Sequence, residues 1–298
     1  MFEDLYLPPG IDPGQIVARL GLISDTHFSR RLRELPTAVF EVLRGVDLVL
    51  HAGDVGELSV FDQLGRIAPV IAVHGNDDSP ESQRELPVQQ LIAVAGQRIL
   101  LHHGHSPDPD EERARRQDDV WAPKLARLAA AGRRVGASVV VSGHTHVPMT
   151  CLQDDVLLVN PGAIASPSSA TRQIVQTVAV LYILKDIQPR VAHVDLAAPN
   201  RIFIPDIDWE AGFRAAHGRC SVSILDPDLA ADWPRFEALA RALAFEPWIQ
   251  AVQRVAHRVW AGELAVITRA DLIRELEREP TLPAEARRQL LARLNSLR

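Results

Sequence analysis

Leu20-Gly21-Leu22-Ile23-Ser24-Asp25-Thr26-His27 is an apolar run that stops on a carboxylate and an imidazole. Residues 20–24 read as a short buried strand, and the polar pair follows where that strand ends. The same event recurs outward from it. Residues 36–43 carry apolar side chains at helical spacing, 47–50 form a second apolar run, 60–66 a second helix and 70–73 a third strand. Strands that alternate with helices imply crossover units, and so a sheet with helices on its faces.

The texture then changes. Residues 88–94 and 98–102 flank Ala95-Gly96-Gln97, which reads as a hairpin, and residues 110–134 read as one charged amphipathic helix. A strand at 139–141 follows, then a hairpin of 148–152 with 156–159 around Asp154-Asp155, then strands at 175–184 and 191–195. The pattern predicts an α/β fold: a four-layer-type sandwich of two mixed β-sheets flanked by helices, with a mainly helical C-terminal extension. The expected boundaries are one domain over 1–198, including an N-terminal extension at 1–18, a linker at 199–208 containing Pro199, Asn200 and Pro205, and a helical segment at 209–298. Its clearest helices are 234–244 and 284–297. Trp209, Trp233, Trp248 and Trp260 supply apolar area there, for packing first and for contact between copies second.

The chain has 298 residues, of which 47% are hydrophobic and 23% charged, enough apolar mass for a full core. A net charge of -6 gives no electrostatic reason to expect a nucleic-acid partner. Two cysteines, Cys151 and Cys220, are too few for a disulfide framework and point to a reducing compartment. No basic leader followed by an apolar stretch and no run of membrane-spanning length is visible, so a cytoplasmic protein is expected.

Eight of the 11 histidines fall between His27 and His146, and that clustering locates the chemistry. Five short motifs end predicted strands: Ser24-Asp25-Thr26-His27, Gly53-Asp54, Gly75-Asn76-Asp77-Asp78, His103-Gly104-His105 and Gly143-His144-Thr145-His146. Open α/β sheets place ligand sites at such strand ends. In Asp25-x-His27 and His144-x-His146 an extended backbone would send both side chains to one face, where they can converge on one ion. Imidazole with carboxylate and without thiolate suits two divalent cations, manganese foremost, with iron, zinc or nickel also suited. Two such ions would polarise a phosphoryl group and activate a water.

The ordered set of motifs resembles the calcineurin-like metallophosphoesterase superfamily, and most of all its small bacterial and archaeal phosphodiesterase branch, which also carries the Asn160-Pro161-Gly162 seen here. The resemblance covers about 19–195 and leaves out the C-terminal segment. It implies that Asp25, His27 and His146 bind one ion, that Asn76, His103 and His144 bind a second, and that Asp54 bridges them. It further implies in-line attack on phosphorus by a metal-bridging hydroxide, with a small phosphate ester as substrate. Asp54, Asn76, Asp77 and His105 are then the catalytic candidates. Relatives of this fold also include phosphomonoesterases, nucleotide pyrophosphatases and non-catalytic protein-binding subunits.

Asp77 departs from the resemblance, because histidine often stands at that position. An aspartate beside two cations should stay ionised, unable to donate a proton and repelling a phosphate. Arg30, Arg31 and Arg33 could meet a substrate phosphate, but read first as a solvated helix start. His51 and His74 read as satisfied buried histidines, and Asn160 as a residue that orients a ligand from behind.

Overall fold

The computed structural model describes residues 6–185 and 187–296. Residues 1–5 of the expected extension, and Leu297 at the end of the last expected helix, lie outside these. In chain order the first elements are β1 (Ile16–Ile23), α1 (Thr37–Val42), β2 (Leu48–His51), α2 (Val60–Leu64), β3 (Val70–Ala72), α3 (Pro80–Glu85), β4 (Gln89–Val94) and β5 (Gln97–His102). Then come α4 (Pro109–Gln117), α5 (Trp121–Arg134), β6 (Val139–Val141), β7 (Met149–Gln153), β8 (Val156–Asn160), β9 (Thr171–Gln173), β10 (Thr177–Leu184) and β11 (Ile187–Asp195). The remainder is α6 (Phe213–Cys220), β12 (Ser221–Ser223), α7 (Pro227–Leu243), α8 (Phe245–Trp260), α9 (Arg269–Arg278) and α10 (Ala284–Ser296).

Two five-stranded sheets form the body, one in the order β11-β10-β1-β2-β3 and the other β4-β5-β6-β8-β7. Both are mixed: β1, β2 and β3 are parallel, as are β5, β6 and β8, while β10 runs antiparallel to β1 and β11, β4 to β5, and β7 to β8. Period-two alternation sorts the side chains into layers. Leu20, Leu22, Leu101, Val139 and Val141 face a core between the sheets. Ile23 and Val49 face the opposite way, into a core with Val39 and Leu43 of α1 and its turn. Leu100 and Val140 face a third core, with Trp121, Leu125 and Ala129 of α5. Helix, sheet, sheet, helix is therefore the layer order, the α/β sandwich expected.

Three expectations are corrected. The single helix over 110–134 is two. The Asp118 carboxylate accepts the Val120 N–H at 3.0 Å, and the Asp119 carboxylate accepts the Arg214 N–H at 2.6 Å. An aspartate that bonds locally, as Asp118 does, competes with the helical ladder, while Asp119 is held by a distant main-chain donor instead. The helix expected to begin at Pro234 begins at Pro227, where the Asp226 side chain caps it, and Pro234 lies inside it. The stretch 199–208 does not divide the chain into compact units. One unit comprises the described residues up to Ala165 together with Gln173–Cys220; the other comprises Ser166–Arg172 with the described residues from Ser221 onward. Aromatic packing explains why α6 stays with the first unit. Trp209 and Phe213 meet Trp121 edge-on, at ring distances of 5.2 and 5.4 Å.

The second unit is helical, as expected, with a core that includes Phe236, Trp248, Val252, Leu272, Leu276 and Leu290. Trp233, Phe236 and Phe245 surround Trp248 at ring distances of 5.4–6.0 Å. The Ile224 N–H donates to the Ala170 carbonyl, and Trp260 Nε1 donates to that of Thr171. No helix among the described residues is long and apolar enough to cross a membrane.

The polar ends of β1 and β6 meet where the two sheets approach. A Cβ on Gly143 would lie 2.6 Å from Asp25 Oδ2 and 2.8 Å from Ser24 Cβ, so only glycine fits. Gly143→Ala should therefore cost about 1–3 kcal/mol or more by overpacking, read from urea unfolding. A loss below about 0.5 kcal/mol would show that the junction is loose.

Candidate metal centre

Each candidate ligand sits past the end of a strand, and at five of the seven the backbone is not extended. Asp25, His27, Asp54, His144 and His146 all have φ between 41° and 71°. This corrects the expectation that alternation along an extended backbone would bring each pair to one face. Convergence comes instead from left-handed turns, which cost roughly 1–3 kcal/mol each and persist only where their surroundings fix them. The fixing bonds are main-chain ones. The Asp25 N–H donates to Gly53 O at 3.0 Å, the His27 N–H to Asp54 O at 2.9 Å, and the Gly143 N–H to His103 O at 3.1 Å. The His144 N–H reaches the Asp25 carboxylate at 3.1 and 3.3 Å, joining the rims of the two sheets.

The side chains fall into two overlapping clusters: Asp25, His27 and His146, and Asp25, Asp54 and His103. Within each, one ligand atom per residue lies within 4.8 Å of the others, and all of these residues are buried. His146 Nε2 is 3.2 Å from Asp25 Oδ1, His103 Nε2 is 3.3 Å from Asp54 Oδ2, and His27 Nε2 is 3.7 Å from that same oxygen. Asp25 is thus common to both clusters. Asn76 is exposed. The His144 ring lies 5.0 Å from that of His103, and its Nε2 is 2.7 Å from Glu112 Oε1.

These residues fit metal ions on the chemistry of their own atoms. His103 Nδ1 lies 2.8 Å from the Ala52 carbonyl, which can only accept, so Nδ1 carries the proton. In the neutral ring Nε2 then presents a lone pair to a carboxylate oxygen. Two acceptors facing each other in a buried site need a proton or a cation between them. Burial opposes a charge on His103, yet Asp54 and Asp25 push its proton affinity up to about 9. Burial also opposes ionisation of Asp25, but His146 beside it holds the carboxyl down to about 2. Asp54 is held well below the usual carboxylate range, against its burial, by His103, His27 and the Asp77 N–H. Burial, and then Arg31, keep His27 neutral. Both His27 nitrogens, His103 Nε2 and His146 Nδ1 are buried without a hydrogen-bond partner. Such atoms are costly unless a ligand takes them up.

Several residues around the clusters do other work than expected. Asp77 does not stand as a lone negative charge: Arg31 Nη2 is 2.5 Å from its Oδ2, Arg30 Nη1 is 3.3 Å from its Oδ1, and its N–H donates to Asp54 Oδ1 at 2.8 Å. Arg31 is therefore not a solvated residue; its side chain is only 10% exposed. His105 lies 5.4 Å from the His103 ring and 6.2 Å from that of His144. Burial, then those two neighbours, push it down to about 4, so it is neutral. Buried His51 sets its Nε2 3.0 Å from the Thr26 hydroxyl, which itself donates to Val55 O. Asn160 Nδ2 donates to Gly143 O at 2.7 Å, and its Oδ1 accepts the Gly162 N–H, so it holds the His144 loop from behind.

Sequence reasoning gave no role to Asp78 or Glu112. Asp78 accepts the N–H groups of Gly56 and Gly75, each at 2.6 Å, and cross-ties two of the loops. The signal for it was its place in the Gly75-Asn76-Asp77-Asp78 motif. Glu112 had no signal beyond a charged helix. Burial would raise its carboxyl, but His144, Arg116 and the Ser106 N–H hold it well below the usual carboxylate range.

Comparison with known proteins follows the same outline. Residues 19–186 match the model of the calcineurin-like phosphoesterase superfamily domain. A probable metallophosphoesterase of Methanocaldococcus jannaschii is 35% identical over 159 residues, which is 53% of this chain and 73% of that protein. The phosphodiesterase YfcE of Escherichia coli K12 is 32% identical over 115 residues, 36% of this chain and 52% of that one. Among solved structures, Vacuolar Protein Sorting 29 from Cryptosporidium parvum aligns at 23% identity with a TM-score of 0.46, covering 60% of this chain and 97% of that one. The family match spans more than half of the chain and contains all five motifs; the chain belongs to the calcineurin-like phosphoesterase superfamily.

Proposed function

We propose that the protein is a phosphodiesterase that works with two divalent metal ions, manganese foremost. The observation that carries the reading is a pair of overlapping buried carboxylate–imidazole clusters in which Asp54 Oδ2 lies between His103 Nε2, at 3.3 Å, and His27 Nε2, at 3.7 Å. Two ions held side by side need a shared anionic ligand, and this pocket offers Asp25 and Asp54 for that role. The named activity of the Escherichia coli relative points the same way, although the alignment spans only 52% of that protein.

Asp25, His27 and His146 would hold one ion. Asp54 and His103 would hold the other, with Asn76 and His144 completing it and Asp54 bridging. When bound, the ions supply Lewis-acid polarisation of the phosphoryl group and activation of the attacking water. The chain supplies the rest. Ala52 fixes His103 with its Nε2 lone pair toward Asp54. Neutral His105 offers a hydrogen-bonding ring rather than a charge beside His103 and His144.

Arg30 and Arg31 change what Asp77 does. Ion-paired to both, it does not repel a phosphate as a bare carboxylate would, and the pair leaves guanidinium charge close to His27, whose Nδ1 is 3.5 Å from Asp77 Oδ2. A carboxylate held in this way still cannot protonate a leaving group. The reading therefore favours leaving groups that depart without a proton, such as aryl oxides.

Two measurements test this. Chelation should abolish hydrolysis of bis(4-nitrophenyl) phosphate and manganese should restore it, with two ions per chain by elemental analysis. Asp54→Asn should lower kcat by about 100-fold or more, as expected for loss of a ligand to both ions. Full activity in the chelated protein, or a single ion at saturation, would overturn the reading. Separately, a diaryl phosphate should be turned over at least about 100-fold faster than a dialkyl one, and Asp77→His should narrow that gap. Equal turnover of both esters by the unaltered protein would sink the role given to Asp77.

A further inference from the structure

We infer that Glu112 is a positioning residue: its carboxylate holds His144 with the proton on Nε2, and so fixes Nδ1 as the atom that His144 offers to the second ion. The inference rests on the two-ion reading above.

Glu112 lies in the first turn of α4, where the simplest role for a glutamate is to favour the helix start and pair with an arginine one turn on. That pair exists, with Arg116 Nε 2.7 Å from Oε1. It does not account for the rest. The Glu112 side chain is 12% exposed against 58% for Arg116, so the carboxylate faces inward. His144 Nε2 is also 2.7 Å from Oε1, and the Ser106 N–H donates to Oε2 at 2.8 Å. Ser106 directly follows His103-Gly104-His105. One carboxylate thus ties the loop that carries His103 to the loop that carries His144, and sets the spacing of two imidazoles whose rings lie 5.0 Å apart.

An ionised carboxylate only accepts hydrogen bonds, so Nε2 is the protonated nitrogen, and the lone pair of the neutral ring is on Nδ1. His103 is fixed in the opposite sense, with Nδ1 bonded to Ala52 and Nε2 left toward Asp54. The main-chain N–H of His144 is held by Asp25 at 3.1 Å. His144 is therefore restrained at both ends, by a carboxylate from each side. Partners that fix ring orientation and tautomer in this way typically change metal affinity 10–100-fold when removed.

The test uses the full chain with Glu112→Ala and Glu112→Gln. Long-range nitrogen–proton NMR of the histidine rings, on protein stripped of metal, should find His144 as the Nε2–H tautomer in the unaltered chain and in the glutamine variant, whose carbonyl can still accept. The alanine variant should show a mixture of tautomers. Calorimetric titration with manganese should give two ions for the unaltered chain. Glu112→Ala should bind the first as before and the second about 10–100-fold more weakly, and Glu112→Gln should stay within about 3-fold.

Nδ1–H in the unaltered chain, or equal or tighter binding of the second ion by Glu112→Ala, overturns the inference. So does an alanine variant that weakens both ions alike, since Glu112 would then be serving the fold. Uptake of a single ion by the unaltered chain instead brings down the two-ion reading. The tautomer measurement, which needs no metal, tells the two failures apart.

Discussion

Two carboxylates buried in one cluster are the constraint on which the rest of the site depends. Asp25 is fully buried and Asp54 nearly so. Each resists the other's ionisation, and burial resists both. Such an arrangement is stable only with positive charge between or beside the carboxylates. His103 supplies a provisional answer by holding a proton. A cation at the same place answers it better, because it satisfies several lone pairs at once. The left-handed turns, the close approach at Gly143, the fixing of the His103 ring by Ala52 and the fixing of the His144 loop by Asn160 all follow from holding that charge cluster in one geometry.

The body of the fold was legible because its signals are local. Apolar runs that stop on aspartate or histidine mark the ends of parallel strands, and successive residues such as Leu100 and Leu101 face two different cores. The positions carrying the five motifs were legible for the same reason. Their geometry was not. Alternation along an extended strand predicts convergence of Asp25 with His27, yet the chain has left the strand by then and turns through positive φ. Residues that act across the fold were also hidden. Glu112 meets His144 across 32 positions, and Arg31 meets Asp77 across 46. No periodicity records a contact of that range.

Asp77 shows how a residue's chemistry depends on its partners more than on its type. Read alone, it is a charge in the wrong place for phosphate. With Arg30 and Arg31 bonded to it, the same carboxylate anchors two guanidinium groups near His27, and its main-chain N–H steadies Asp54. The pairing also accounts for the run of basic residues just after Asp25-x-His27, which pattern alone assigns to solvent.

The short segment Ser166–Arg172 belongs with the helices at the far end of the sequence, although Gln173–Cys220 returns to the sandwich. The second unit is therefore threaded rather than appended. A ribosome delivers Ala170 and Thr171 long before Ile224 and Trp260, their hydrogen-bond partners, exist. A chain cut after Cys220 would keep the first pair and lose both partners. The junction also has three covalent crossings instead of one, so a recombination that exchanged only the C-terminal end would deliver a helical unit missing a piece of itself.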